Sequence, residues 1–319
     1  MSLDLKIIRD EIKRIEEELK KLKKLPEAEL KVWKDRLKIL KSRAADLEAR
    51  KNKGVTRIEQ VRLARDIKRP TSLDIIRLLC TDFMELKGDR LYGDDPAMIG
   101  GIGLIESMPF TIIGHQKGNN TKENLYRNFG MASPEGYRKA MRLIRQAEKF
   151  HRPIITLIDT PGAYPGVGAE ERGQAEAIAR NLRDLFDVRT IILAFVTGEG
   201  GSGGALAISI ADRIFMFENA MYSVISPEGC ASILWKDSTL SKEALEALKP
   251  MASDMEDLGL IDGIVEEPKG GFQSNPAFCV EKMKQIIIQS VKELETLSPD
   301  ELIEKRFMKF RWIDSFKEE

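Results

Sequence analysis

The chain has 319 residues, and its 51 Lys and Arg balance 51 Asp and Glu, so no chain-wide field selects nucleic acid or an anionic membrane. Two histidines and three well-separated cysteines with no C-x-x-C pair exclude a disulfide framework, a zinc ribbon and any mechanism that needs several imidazoles. The N-terminus has no apolar h-region, and charge or glycine breaks every later apolar run, which predicts a soluble, cytoplasmic protein with no metal of its own.

Apolar residues at Leu5, Ile8, Ile12, Ile15, Leu19 and Leu22 follow a heptad step. After Leu25-Pro26 the step resumes at Leu30, Trp33, Leu37, Leu40, Ala44 and Leu47. Residues 1–53 are therefore expected to form an antiparallel helical hairpin, serving either as an arm for a partner or as a flap on its own body. Gly54 ends the second helix. Thr56 and Glu59 form a capping box for a short helix. The stretch 71–86 reads as a further helix, with Leu73, Ile76, Leu78 and Leu79 on one side.

A body over residues 54–272 then changes character. Runs 97–105 and 110–116 around the Ser107-Met108-Pro109 turn predict a β-hairpin, and Ser133-Pro134-Glu135 opens a helix to about Phe150. Strands over 154–158, 190–196 and 213–217 alternate with helices over 173–186 and 204–211, which argues for an α/β core. Strands at 222–225 and 261–265 and a helix over 227–235 continue it, and a charged helical tail covers 273–319.

Two glycine-rich loops follow buried strands and precede helices, Asp159 to Gly168 and Gly198 to Ala205. Peptide N–H groups at such junctions lie free, with a helix dipole behind them. Gly198-x-Gly200-x-x-Gly203 fits a dinucleotide fingerprint, with Glu218 spaced for a ribose, but the next helix is too short and the loop too late in the chain. Gly200-x-Ser202-x-Gly204 fits a nucleophile elbow, yet no histidine follows position 151. An oxyanion hole needs only small residues and free amides, which Gly203, Gly204 and Ala205 supply.

The motifs that carry a family resemblance are Gly88 to Asp95, Ile113 to Gly118, Arg127 to Met131 and Pro134 to Ala140. With them stand Asp159 to Gly166, Glu170 to Gln174, Gly198 to Ala207 and Tyr222 to Lys236. In order and spacing, residues 69–271 resemble the alpha-subunit family of the bacterial acetyl-CoA carboxylase carboxyltransferases. The resemblance implies a crotonase-like (ClpP/crotonase superfamily) fold, a spiral of ββα turns that the α/β pattern accommodates but does not select. It implies transfer of a carboxyl group from carboxybiotin on a carrier protein to acetyl-CoA, in fatty acid biosynthesis, with ATP binding among the attributes of the complete enzyme. No covalently bound cofactor is implied, and zinc only on a beta subunit.

The implied partners are that beta subunit, as two alpha plus two beta, the biotin carboxyl carrier protein and biotin carboxylase. Onto this sequence the resemblance places a backbone oxyanion hole at Gly203, Gly204 and Ala205. Gly162, Ala163, Tyr164, Arg172, Gly200, Gly201 and Ser202 line the substrate cleft, while His115 and Lys117 either face a partner or the nucleotide end of coenzyme A or have a structural role. The competing expectations are a stand-alone crotonase-type hydratase or thioesterase, with Glu199 as the nearby carboxylate, and a non-catalytic assembly subunit.

Overall fold

The computed structural model describes residues 11–16, 33, 34, 36–38, 40, 41 and 55–313. Its contacts divide the chain into two compact units, Met1–Thr56 and Arg57–Glu319. Most of the expected hairpin lies outside the described residues. Within the first unit, the described pieces are helical, and Arg36 pairs with Glu11 at 2.7 Å and Lys41 with Glu16 at 2.6 Å.

The second unit is built on one eight-stranded sheet, whose strands lie in the order 81–85, 98–105, 108–115, 154–160, 192–201, 213–217 and 263–265, with 221–223 paired to 192–201. It begins with α1 (Arg57–Ala64) and α2 (Ser72–Leu79), then β1 (Thr81–Glu85), β2 (Met98–Ile105) and β3 (Met108–His115). β1, β2 and β3 pair antiparallel. α3 (Thr121–Tyr126) and α4 (Pro134–Lys149) lead to β4 (Ile154–Thr160), which pairs parallel with β3. α5 (Val167–Glu171) and α6 (Gln174–Phe186) lead to β5 (Ile192–Gly201), parallel to β4. α7 (Ser202–Leu206), β6 (Arg213–Phe217), β7 (Met221–Ser223), α8 (Pro227–Trp235), α9 (Ser241–Leu248), α10 (Ala252–Asp257) and β8 (Gly263–Val265) follow. The tail forms α11 (Pro276–Leu294) and α12 (Pro299–Arg311).

Two expectations need correction. The stretch 71–86 is not one helix, because α2 stops at Leu79 and Cys80 turns extended before β1. β1 is an edge strand with little buried on either face, so no alternation marked it. The glycine run after Val196 is strand as far as Gly201, not loop, since Glu199, Gly200 and Gly201 pair with Met221, Tyr222 and Ser223. The β2–β3 hairpin and α4 lie within a few residues of where the sequence placed them.

All seven residues of β4 and the first seven of β5 are buried, the signature of a parallel sheet covered on both faces. Helices α11 and α12 belong to this same body. Cys279, Val280, Met283, Ile287, Val291 and Leu302 join the main core. The Arg306 guanidinium is fully buried against Asp212 at 2.9 Å and donates to the carbonyls of Leu185, Val188 and Thr190.

Candidate active site

The C-terminal ends of β3, β4 and β5 lie side by side because the strands pair parallel, and in open parallel sheets this edge is where ligands bind. Each strand delivers one charge there. Lys117, two residues past β3, pairs with Asp159 of β4 at 2.7 Å and with Glu199 of β5 at 2.9 Å. Arg65, just after α1, closes the set on Glu199 at 2.7 Å and on Glu228 of α8 at 2.9 Å.

Burial alone would lower the Lys117 ammonium, but the two carboxylates outweigh it and raise it. Burial alone would raise Glu199, and Lys117 with Arg65 outweighs that and holds it below the usual carboxylate range. Both groups are therefore charged at neutral pH, and neither is poised to exchange a proton. A cleft of about 420 Å³ opens beside them, with Arg65, Lys117, Phe129, Met131, Asp159 and Pro161 in its walls.

The two glycine loops meet backbone to backbone. A Cβ on Gly201 would lie 2.1 Å from the Pro161 oxygen, and one on Gly204 would lie 2.5 Å from the Gly162 carbonyl carbon. Only glycine permits that approach. The Thr160 hydroxyl fixes the first loop, donating to the Gly162 oxygen at 2.6 Å and accepting the Gly162 N–H at 3.1 Å. At the end of β5 the chain turns through Ser202, whose φ is +51°, and enters α7.

Gly203 and Gly204 occupy the first turn of α7, where N–H groups have no carbonyl four residues back within the helix, and Ala205 follows as the first residue with the N-cap Gly201 carbonyl four residues behind it. Gly203 is half-buried, and Gly204 and Ala205 are buried. The structure thus brings Gly162, Ala163, Gly200, Gly201 and Gly203 to Ala205 together at one junction. Of this region the 420 Å³ cleft takes instead Asp159 and Glu199 at the ends of β4 and β5, with Pro161 after β4.

Other candidates stand elsewhere. Tyr164 is tied by its N–H to the Ala132 oxygen at 3.0 Å, with its ring against Gly166. Arg172 holds Glu135 at 2.9 and 3.2 Å and lies over the Tyr92 ring at 4.5 Å, so it is engaged within the protein. Ser202 is exposed. His151 precedes β4 at the opposite edge of the sheet, and His115 is fully buried, so the elbow has no base and the hydrolase reading fails. The same burial decides for the structural alternative at His115 over one that faces a partner or coenzyme A. Arg65 was missed because nothing in its sequence surroundings separates it from a solvated helix charge.

A family model described as acetyl co-enzyme A carboxylase carboxyltransferase-like matches residues 7–314. The chain belongs to this family. Relatives of the acetyl-CoA carboxylase carboxyltransferase family include the carboxyl transferase subunit alpha of Staphylococcus carnosus (strain TM300), 55% identical over 82% of this chain and 83% of the relative. The protein of the same name from Geobacter metallireducens is 53% identical over 83% of each.

Among solved structures, a transcarboxylase 12S bound to methylmalonyl-coenzyme A superposes with a TM-score of 0.59 at 17% identity. The match covers 73% of this chain and 44% of that one, so the chain spans under half of the transcarboxylase length. A Pseudomonas malonate decarboxylase in complex with coenzyme A gives 0.54 at 14% identity, over 68% of this chain and 86% of that one. These likenesses bear on the fold, which is the crotonase-like α/β fold the family resemblance implied. Among the described residues no helix is long and apolar enough to cross a membrane.

Proposed function

We propose that this chain is the alpha subunit of an acetyl-CoA carboxylase carboxyltransferase. Its task is to move the carboxyl group of carboxybiotin, presented on a biotin carboxyl carrier protein, to the methyl carbon of acetyl-CoA, giving malonyl-CoA. The observation that carries this reading is the match to named alpha subunits over four fifths of both chains, together with glycine loops packed against each other.

The chemistry needs no protein nucleophile. The N–CO₂⁻ bond of carboxybiotin breaks to leave carbon dioxide and a ureido anion. That anion takes a methyl proton from acetyl-CoA, and the resulting enolate forms the new C–C bond to carbon dioxide. Negative charge passes between two oxygens, and preorganised amides stabilise such charge without reorganising. The N–H groups of Gly203, Gly204 and Ala205 serve as one such hole. A beta subunit completes the enzyme with a second hole, in an assembly of two alpha and two beta chains served by biotin carboxylase.

One observation weighs against the hydratase reading. Such an enzyme needs an acid or base at the loop ends, and both carboxylates there are engaged, Glu199 between Lys117 and Arg65 and Asp159 with Lys117 and the Glu199 N–H.

Carboxyl exchange between malonyl-CoA and biocytin tests the proposal, with this chain alone, the beta chain alone, and their mixture. Activity confined to the mixture is expected. Turnover of an acyl-CoA by this chain alone, or an inert mixture containing folded, zinc-loaded beta chain, overturns it.

A further inference from the structure

His115 ends β3 at the same sheet edge as the two loops. Its side chain is completely buried, and neither imidazole nitrogen makes a hydrogen bond. Leaving two buried polar atoms unpaired is costly, and such a group calls for an explanation. The backbone carbonyls of Gly204 and Leu157 face the ring without reaching hydrogen-bond geometry.

The Gly204 carbonyl is itself passed over by α7. Ala207 N–H goes to the Gly203 oxygen at 3.0 Å and Ile208 N–H to the Ala205 oxygen at 3.3 Å. The Gly204 oxygen and the Ala205 N–H belong to one peptide unit and point to opposite sides of it. Whatever holds that oxygen therefore aims that N–H. A donor on the oxygen also polarises the peptide, which makes the N–H a stronger donor.

We infer that His115 is a positioning residue for the oxyanion hole, donating its imidazole N–H to the Gly204 carbonyl when substrate draws the Ala205 N–H forward. The inference rests on the carboxyl-transfer reading above. The ring suits the task as a neutral donor. Burial, with Lys117 nearby, pushes its pKa down to about 3 against the smaller opposing effect of the two carbonyls, so no second positive charge sits behind the loop. Ser72 Oγ donates to the His115 carbonyl at 2.6 Å and fixes the strand end that carries the ring.

The test uses this chain assembled with its beta partner, in malonyl-CoA to biocytin exchange. His115→Leu, which fills the site without a donor, is expected to lower kcat about tenfold or more, since loss of a whole hole donor costs ~10²- to 10³-fold. KM for malonyl-CoA is expected to stay within about twofold, because the effect belongs to the transition state. His115→Gln, which keeps a donor, is expected to recover part of the loss. A folded, assembled His115→Leu enzyme with wild-type kcat, or one altered in KM alone, overturns the inference.

If neither variant folds, ¹⁵N-histidine spectra of the wild-type assembly decide. One fixed neutral tautomer whose N–H proton moves downfield on addition of malonyl-CoA supports the inference, and an imidazole indifferent to that ligand overturns it. An inactive wild-type assembly would instead sink the functional reading, which keeps the two failures apart.

Discussion

The Asp159 carboxylate accepts the peptide N–H of Glu199 at 2.9 Å, so the end of β4 holds the backbone of β5 at the point where the glycine run begins. The same oxygen takes the Lys117 ammonium at 2.7 Å. One atom thus couples three strand ends, and the two glycine loops inherit their relative position from it.

Gly198→Ala tests that coupling. Its Cβ would fall 2.4 Å from Asp159 Oδ1, an overlap that the buried carboxylate cannot avoid without releasing the Glu199 N–H or Lys117. The expected outcome is a loss of about 1 to 3 kcal/mol in stability, read by denaturant unfolding. Carboxyl exchange in the assembled enzyme should fall further than that loss explains, because both loops shift.

Glu199→Gln separates two chemistries. A general base would carry ~10² to 10⁴ of the rate, whereas an ion-paired strap should cost about tenfold or less in carboxyl exchange. The pH dependence has a definite sign. Burial would raise the Glu199 carboxyl, but Lys117 and Arg65 lower it, and a lowered carboxyl adds stability above its unfolded value near 4.5. That stability is lost as pH falls through the folded value. Thermal melts below pH 5 should therefore drop more steeply for the wild type than for the variant.

The sequence made the β2–β3 hairpin, α4 and the α/β alternation legible, because apolar period and caps coincide there. It did not disclose that Glu199 to Gly201 are strand. Glycines carry no strand propensity, and their reason is the close approach of Pro161 and Tyr222. The ββα spiral came from the family motifs alone. Arg306 was invisible for another reason, since a buried arginine and a solvated one read alike on a helix, and Arg65 because a turn arginine that bridges two carboxylates reads like any surface charge. The proposed hole could be argued from sequence only as backbone chemistry, since Gly203 to Ala205 carry no reactive side chain. The Lys117-Asp159-Glu199 triad joins three strands and needs the register to be seen.

Arg306→Met addresses the tail. The guanidinium is 0% exposed and its partner Asp212 4%. Removing it leaves the buried Asp212 carboxylate with the Ile192 N–H but no counter-charge from Arg306, and takes the guanidinium from the carbonyls of Leu185, Phe186, Val188 and Thr190. Breaking a buried pair from one side costs ~3 to 5 kcal/mol, so a lower urea midpoint with unchanged slope is expected. A variant as stable as the wild type would show that α12 is an accessory rather than part of the core.

The two central glycines should part company. Gly203 has only the Ile178 side chain near its missing Cβ, at 3.7 Å, which is ordinary contact, so Gly203→Ala is expected to melt within a degree or two of the wild type. Gly204 has the Gly162 and Ala163 backbone at 2.5 and 2.6 Å, and backbone cannot step aside as a side chain can. Gly204→Ala should therefore force the two loops apart, lowering the melting temperature by several degrees, since ~1 kcal/mol moves it by about 2 to 4 °C in a domain of this size. Loss of the hole geometry should also lower kcat for carboxyl exchange by about 10² or more. Melting curves of both variants with exchange kinetics of the second check this. Equal melting temperatures for the two would mean that the loops do not need their backbone contact.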